Sequence, residues 1–263
     1  MWIWAGLLAC STVKVEGRVV DGLTGEPIPG PYRMKATTTT GNVAISCQAF
    51  DTEVGADGTF VFDRLCPGTS YHLETNRPDL WLGEVDEAPD GGWGQPTDLV
   101  AWRVPEAAGL YVLSHGELIA LKTDADVRTE QIKKSDHRVR YPAKVPTTVA
   151  GVGVDDWLVQ VGRAAIDDLK IHPLVPSGVR KFGNDDVTYT MEPWVYVGTR
   201  FTDDTTFEEV KAVLDPAKVV DQQKGERRVR YVSGAALPPG RYAILKDDDH
   251  RMTLLDFGPA PSP

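Results

Sequence analysis

From Val13 the chain alternates apolar and polar residues with a period of two. Val13, Val15, Gly17 and Val19 fall on one face, and Lys14, Glu16 and Arg18 on the other. Successive side chains of a β-strand point to opposite faces, so this pattern specifies a half-buried strand. The period returns after each cluster of turn residues. Asp21-Gly22-Leu23-Thr24-Gly25 supplies the first turn, and Pro27 and Pro29-Gly30 follow. Asn42 to Phe50 is expected as a strand with Val43, Ile45, Cys47 and Ala49 on one face. Asp57-Gly58 signals a hairpin, Thr59 to Phe62 the strand after it, and Pro67-Gly68 a turn into Tyr71-His72-Leu73. Short strands at regular intervals predict a β-sandwich over residues 13–77.

Residues 78–98 change in composition. Pro78, Pro89, Gly91-Gly92, Gly94 and Pro96 are interleaved with Asp79, Glu84, Asp86, Glu87 and Asp90, as in a linker between domains. Trp81 and Trp93 lie within it. They read either as a platform on which sugar rings stack or as an apolar plug between domains; the gain from burying large aromatics favours the plug. Residues 99–263 are expected to form a second, β-rich (α+β) domain. Leu110 to Leu121 reads as a hairpin turning at Ser114-His115-Gly116, and Leu237 to Leu255 as another. Trp157 to Val161 and Trp194 to Val197 add strands. Thr205-x-x-Glu208 fits a capping box, with Phe207, Val210 and Leu214 along one helical face and Pro216 as the stop. Ala164 to Leu169 is a second, shorter helix candidate.

The first domain resembles a known family. Val15-x-Gly17-x-Val19-x-Asp21-x-x-Thr24-Gly25-x-Pro27-Ile28-x-Gly30 is similar to the opening of a carboxypeptidase regulatory-like domain, a transthyretin-like β-sandwich. Asp57-Gly58-x-Phe60-x-Phe62-x-x-Leu65-x-Pro67-Gly68-x-x-Tyr71-x-Leu73 resembles the family's close. The segment between, Tyr32 to Val54, is longer and richer in Thr than the family pattern. The resemblance implies an accessory module of envelope proteins and carries no catalytic residue with it.

The first ten residues, Met1-Trp2-Ile3-Trp4-Ala5-Gly6-Leu7-Leu8-Ala9-Cys10, are apolar and uncharged. They are too few to span a bilayer, which takes about 20 apolar residues. Leu7-Leu8-Ala9-Cys10 resembles the bacterial lipobox, which implies a signal peptide over residues 1–10, cleavage before Cys10 and acylation of its thiol. No Lys or Arg precedes Cys10, unlike the charged start of most signal peptides. Ser11 and Thr12 supply no acidic residue of the kind linked to inner-membrane retention, which points to the outer membrane in a diderm cell. The chain has three cysteines. With Cys10 lipidated, Cys47 and Cys66 remain as a pair, and an even remainder in an exported chain suggests a disulfide. Their Cα atoms would then lie within about 7 Å. Two separate buried thiols are the alternative.

Charge and motifs bound the function. The formal net charge of -10 opposes contact with phosphate backbones, so no nucleic-acid partner is expected. The arginines of Arg138-Val139-Arg140-Tyr141 and Arg228-Val229-Arg230-Tyr231 alternate with apolar residues, as on the wet face of a strand. The five histidines show no metal-ligand spacing, and no Gly-x-Ser-x-Gly or phosphate-binding loop occurs. Acidic runs at Asp155-Asp156, Asp167-Asp168, Asp185-Asp186, Asp203-Asp204 and Asp247-Asp248-Asp249 read as solvated loops. Asp247, Asp248 and Asp249 are the best candidate for calcium, the one cofactor the sequence raises. The sequence therefore points to a non-catalytic envelope lipoprotein at the cell surface or in the periplasm, a structural module or one that binds envelope proteins or glycans. A hydrolase with its site in residues 99–263, and a carbohydrate- or calcium-binding module, are the alternatives.

Overall fold

A computed structural model describes residues 12–39, 41, 43–82, 96–121, 124–131, 138–142, 149–162, 171–176, 189–191, 214–245 and 251–258. The chain is mainly β and divides into two compact units, Met1–Glu106 and Ala107–Pro263.

The first unit contains β1 (Val13–Asp21), β2 (Tyr32–Thr38), β3 (Ala49–Val54), β4 (Thr59–Leu65), β5 (Tyr71–Thr75), β6 (Leu80–Leu82) and β7 (Thr97–Arg103). They form a four-stranded sheet, β4-β1-β7-β6, and a three-stranded sheet, β3-β2-β5. The inward residues of both sheets share one apolar cluster. Val15, Val19, Phe60, Phe62, Leu80, Leu82, Leu99 and Ala101 come from the larger sheet; Tyr32, Met34, Ala36, Val54, Tyr71 and Leu73 come from the smaller. This is the β-sandwich that the alternation predicts.

The spacing Phe60-x-Phe62-x-x-Leu65 breaks the period of two, and a bulge explains it. Val15 of β1 faces Phe62 of β4, yet Val13 faces Leu65. Asp63 and Arg64 are both exposed where one residue would suffice, and the extra residue returns Leu65 to the core. Gly17 is required nearby for a different reason. It pairs with Thr97 where β7 runs parallel to β1, and a Cβ there would lie 1.9 Å from the Thr97 carbonyl oxygen.

Three expectations change. Asn42 to Phe50 is not one strand: Ile45–Cys47 is a 3-10 turn and β3 starts only at Ala49. Alternation fails because the turn buries Cys47 and leaves Ile45 86% exposed. Asp57-Gly58 does form a tight turn, with Gly58 at φ +80° and Asp57 Oδ1 accepting from the Thr59 amide at 3.1 Å. That turn joins strands of different sheets rather than a hairpin within one. The stretch 78–98 does not divide the domains. Leu80 and Leu82 within it, on β6, and Leu99 and Ala101 just after it, on β7, are buried in the core of the first unit, and the boundary falls after Glu106. The Pro, Gly and acidic residues mark a connection between β6 and β7, two paired strands of one sheet.

The second unit contains β8 (Gly109–Ser114), β9 (Glu117–Ala120), β10 (Asp124–Gln131), β11 (Arg138–Pro142), β12 (Ala150–Val152), β13 (Trp157–Gly162), β14 (Ile171–Pro176), β15 (Tyr189–Met191), β16 (Val219–Lys224), β17 (Arg227–Ser233), β18 (Gly240–Leu245) and β19 (Arg251–Phe257). One sheet runs β11-β10-β19-β18-β14-β15, with β12 lying parallel to β19; the other runs β16-β17-β13-β8-β9. Val112, Leu158 and Val232 of the second sheet share a core with Ile171, Tyr242, Ile244, Leu255 and Phe257 of the first. Both expected hairpins are present, as β8–β9 and β18–β19. On β17 the expected alternation holds: Val229 and Tyr231 are buried, while Arg230 pairs with Asp221 on β16 at 2.7 and 2.9 Å. Among the described residues the only helical elements are 3-10 turns, at Ile45–Cys47, Pro216–Lys218 and Gly234–Ala236. The helix candidate 164–169, residues 205–213 of the helix candidate that runs from Thr205 to Leu214, and the strand candidate 194–197 lie outside the described residues; Leu214 and Asp215 are not helical, and Pro216 opens a 3-10 turn rather than ending a helix.

The Gly17 contact gives a direct test of the mixed sheet. Gly17→Ala forces β1 and β7 apart and is expected to destabilise the first unit by about 1–3 kcal/mol, the usual range for an overpacked site. Urea unfolding would show it as a lower midpoint at unchanged slope. An unchanged midpoint would contradict the close parallel approach.

Candidate functional site

Cys47 and Cys66 are joined in a disulfide, with their Cα atoms 5.7 Å apart. Cys47 ends the 3-10 turn and Cys66 follows the last residue of β4, so the bridge ties the β2–β3 connection to the end of β4. Tyr71, on β5 and 1% exposed, stands beside it. Its hydroxyl accepts a hydrogen bond from the Cys66 amide at 3.1 Å and donates to the Cys47 carbonyl at 3.3 Å. Its ring meets Phe50 edge-on at 5.9 Å. With the cysteines 19 positions apart in sequence, the bridge stabilises the fold by about 3 kcal/mol in the loop-entropy account.

Trp81 sits on β6 between the buried Leu80 and Leu82, so alternation turns its side chain to the outer face of the four-stranded sheet. Directly opposite in register is Trp102 of β7, and both are half-buried. Gly22 makes room for the second ring, since a Cβ at that position would lie 2.7 Å from it. Val100, two residues back along β7, is 42% exposed. Trp93, which the sequence pairs with Trp81 as a candidate platform, lies outside the described residues; Trp102 stands across the strand pair from Trp81. The signal for Trp102 was the alternation Leu99, Ala101 inward, which sends Val100 and Trp102 outward.

A second polar grouping closes one end of this sandwich. Asp21 Oδ2 accepts from Arg103 Nε at 3.0 Å, in an ion pair that is largely buried, and Asp21 Oδ1 accepts from the Leu23 amide at 2.9 Å. Arg77 forms a two-bonded pair with Asp79 and stacks over the Tyr32 ring, 5.7 Å from its centroid. The Tyr32 hydroxyl donates to the Ile28 carbonyl at 3.3 Å. Burial pushes the Tyr32 phenol up to about 12, against the opposing pull of Arg77 and Arg103. At the Asp57 turn, the Thr59 hydroxyl donates at 2.6 Å and holds the carboxyl below its ordinary value.

Among the described residues, no three His, Cys, Asp or Glu side chains are placed to hold a metal ion. His72 lies 3.5 Å from Glu74, and His115 Nδ1 lies 2.9 Å from the Ser114 hydroxyl. Asp156 caps a turn by accepting from the Gly153 amide at 2.8 Å. Cys10, His137, Asp247, Asp248, Asp249 and His250 lie outside the described residues. No helix among the described residues is long and apolar enough to cross a membrane.

Fold and bridge together define the class: a two-unit β protein whose first unit is a disulfide-braced sandwich. No protein-family model and no curated protein matches the chain. Among solved structures, the full-length major pilin SpaD from Corynebacterium diphtheriae overlaps 93% of this chain and 66% of its own, at 11% identity and a TM-score of 0.25. The chain thus spans just under two thirds of that structure's length. An overlap at that score carries neither fold nor role across.

The raised Tyr32 value has a consequence for alkaline stability. The unfolded phenol loses its proton near its ordinary value of 10.0, while the folded one keeps it up to about 12. Stability from this group is therefore complete below about pH 10 and falls as the pH climbs towards 12. The urea midpoint of the first unit should drop across that window, and drop less in Tyr32→Phe. An equal drop in both would assign the loss to other groups.

Proposed function

We propose that the chain is an exported, lipid-anchored envelope protein whose β-sandwich serves as a non-catalytic binding or structural module, at the outer membrane or cell surface. The observation that carries this reading is the Cys47–Cys66 disulfide, built into the first unit with both cysteines buried. Such bonds form and persist in oxidising compartments and are rare where thiols are kept reduced. Leu7-Leu8-Ala9-Cys10 supplies the means of attachment: a thiol at the end of an apolar run, free to take acyl chains. Each methylene buried in a bilayer contributes about 0.8 kcal/mol, so multiple chains on one cysteine hold a protein at a membrane. Cys10 is the third cysteine, and the disulfide leaves it as the thiol available for modification.

Mass spectrometry of the chain isolated from membranes should find a fragment that begins at Cys10 and carries acyl mass. Cys10→Ser should move the protein to the soluble envelope fraction. A chain that still begins at Met1 with an unmodified Cys10 would overturn the reading.

A second reading, a carbohydrate-binding module, is favoured by Trp81 and Trp102 standing side by side on an outer sheet face. Flat aromatic rings pack against the faces of sugar rings and gain from the area covered. Titration with soluble envelope glycan fragments should then quench tryptophan fluorescence, and Trp102→Ala should weaken the apparent affinity at least tenfold. Equal quenching in both proteins, or none in either, would remove this reading.

A further inference from the structure

We propose that Tyr71 is a positioning residue for oxidation of the Cys47–Cys66 pair. Its phenol holds the two cysteine-bearing segments together, so that the disulfide closes on an already folded first unit. The argument starts from what the phenol touches. One oxygen receives the Cys66 amide proton at 3.1 Å and gives its own proton to the Cys47 carbonyl at 3.3 Å. It therefore bonds to the main chain of both cysteines at once, and neither contact involves sulfur.

The surrounding structure fixes that oxygen. Tyr71 lies on β5 opposite Thr38 of β2, is 1% exposed and packs against Phe50. The Cys47 side is held by short links of its own. The Thr38 amide donates to the Gln48 carbonyl at 2.9 Å and the Cys47 amide to the Ala44 carbonyl at 2.8 Å, while the Thr39 amide, donating to the Ser70 carbonyl at 3.0 Å, ties the end of β2 to the residue before Tyr71. Cys66 comes directly after Leu65, whose side chain the β4 bulge returns to the core. All these contacts are available to the dithiol chain. The phenol is the described link that spans directly from one cysteine's backbone to the other's, in a chain whose cysteine Cα atoms lie 5.7 Å apart, within the span a bridge accepts.

The chemistry is a two-electron oxidation. The Cys47 and Cys66 thiols lose two protons and two electrons and form one S–S bond; a disulfide oxidant accepts both and leaves as two thiols. Tyr71 takes no part in the electron flow. It raises the share of time that the two sulfurs spend within bonding reach, which is the effective concentration of one thiol at the other.

The test uses the full chain with Cys10→Ser, so that only one thiol pair remains. It is equilibrated with oxidised and reduced glutathione, and the dithiol and disulfide forms are counted by mass after trapping free thiols. In native buffer Tyr71→Phe should lower the effective concentration about three- to tenfold, the worth of roughly one net hydrogen bond. In concentrated urea the two proteins should agree. A phenol that merely stabilised the fold would lower dithiol and disulfide forms alike and leave this ratio unmoved, so equal native values would overturn the proposal. If Tyr71→Phe does not fold, the unsubstituted pair decides. A native effective concentration well above that in urea supports prepositioning, and equal values overturn it.

Discussion

Burial of alternate residues on one face is the constraint from which the first unit follows. A strand with a period of two has one face to hide, and a slip of one residue would send the whole set to solvent. Val13, Val15 and Val19 therefore fix the register of β1 against both neighbours at once, antiparallel to β4 and parallel to β7. The smaller sheet brings Tyr32, Met34, Ala36, Tyr71 and Leu73 to the same layer. Other features adjust to that layer. The β4 bulge keeps Leu65 in it, Gly17 lets β7 approach, and the disulfide secures a connection that contributes little to it.

Among the described residues each unit carries a largely buried Arg–Asp pair across its strands: Asp21 with Arg103 in the first, Arg241 with Asp256 in the second at 2.7 and 2.8 Å. Such pairs give back in attraction much of what desolvation costs, so their net worth is small while the loss of one partner is severe. Their effect is on which arrangement forms. Arg241 faces Asp256 directly in the β18–β19 register, and a shifted pairing would strand a buried charge. Apolar alternation tells a strand which face to hide; the ion pair tells it which neighbour residue to stand beside.

Strands were legible wherever alternation was unbroken, as at Val13–Asp21 and Arg228–Tyr231, and where apolar runs flank a turn, as in Leu110–Leu121 around Ser114-His115-Gly116. The reading went wrong where a non-local contact outweighed the local pattern. Val43, Ile45, Cys47 and Ala49 alternate well enough for a strand, but Cys47 is held by a sulfur and a phenol oxygen brought from elsewhere in the chain. The domain boundary was misplaced because Pro, Gly and acidic residues signal solvent-exposed backbone, and a long connection inside one domain needs the same chemistry as a link between two. Trp102 went unremarked because its meaning lies in the facing strand: only the β6–β7 register sets it beside Trp81. The pairing of Cys47 with Cys66 followed from counting, and their adjacency to Tyr71 did not.

The parallel placement of β1 beside β7 settles how the first unit responds to tension. The chain enters at the foot of β1 and leaves beyond the head of β7, with the two strands bonded from Gly17 opposite Thr97 to Asp21 opposite Ala101. A pull on the two ends slides these strands past one another and loads the rungs between them together, instead of peeling them apart singly as an antiparallel hairpin would. The disulfide lies outside this load path, since it ties the β2–β3 connection to the end of β4. Resistance to stretching therefore belongs to the backbone ladder at the centre of the sheet, and reducing the bridge would leave that ladder intact.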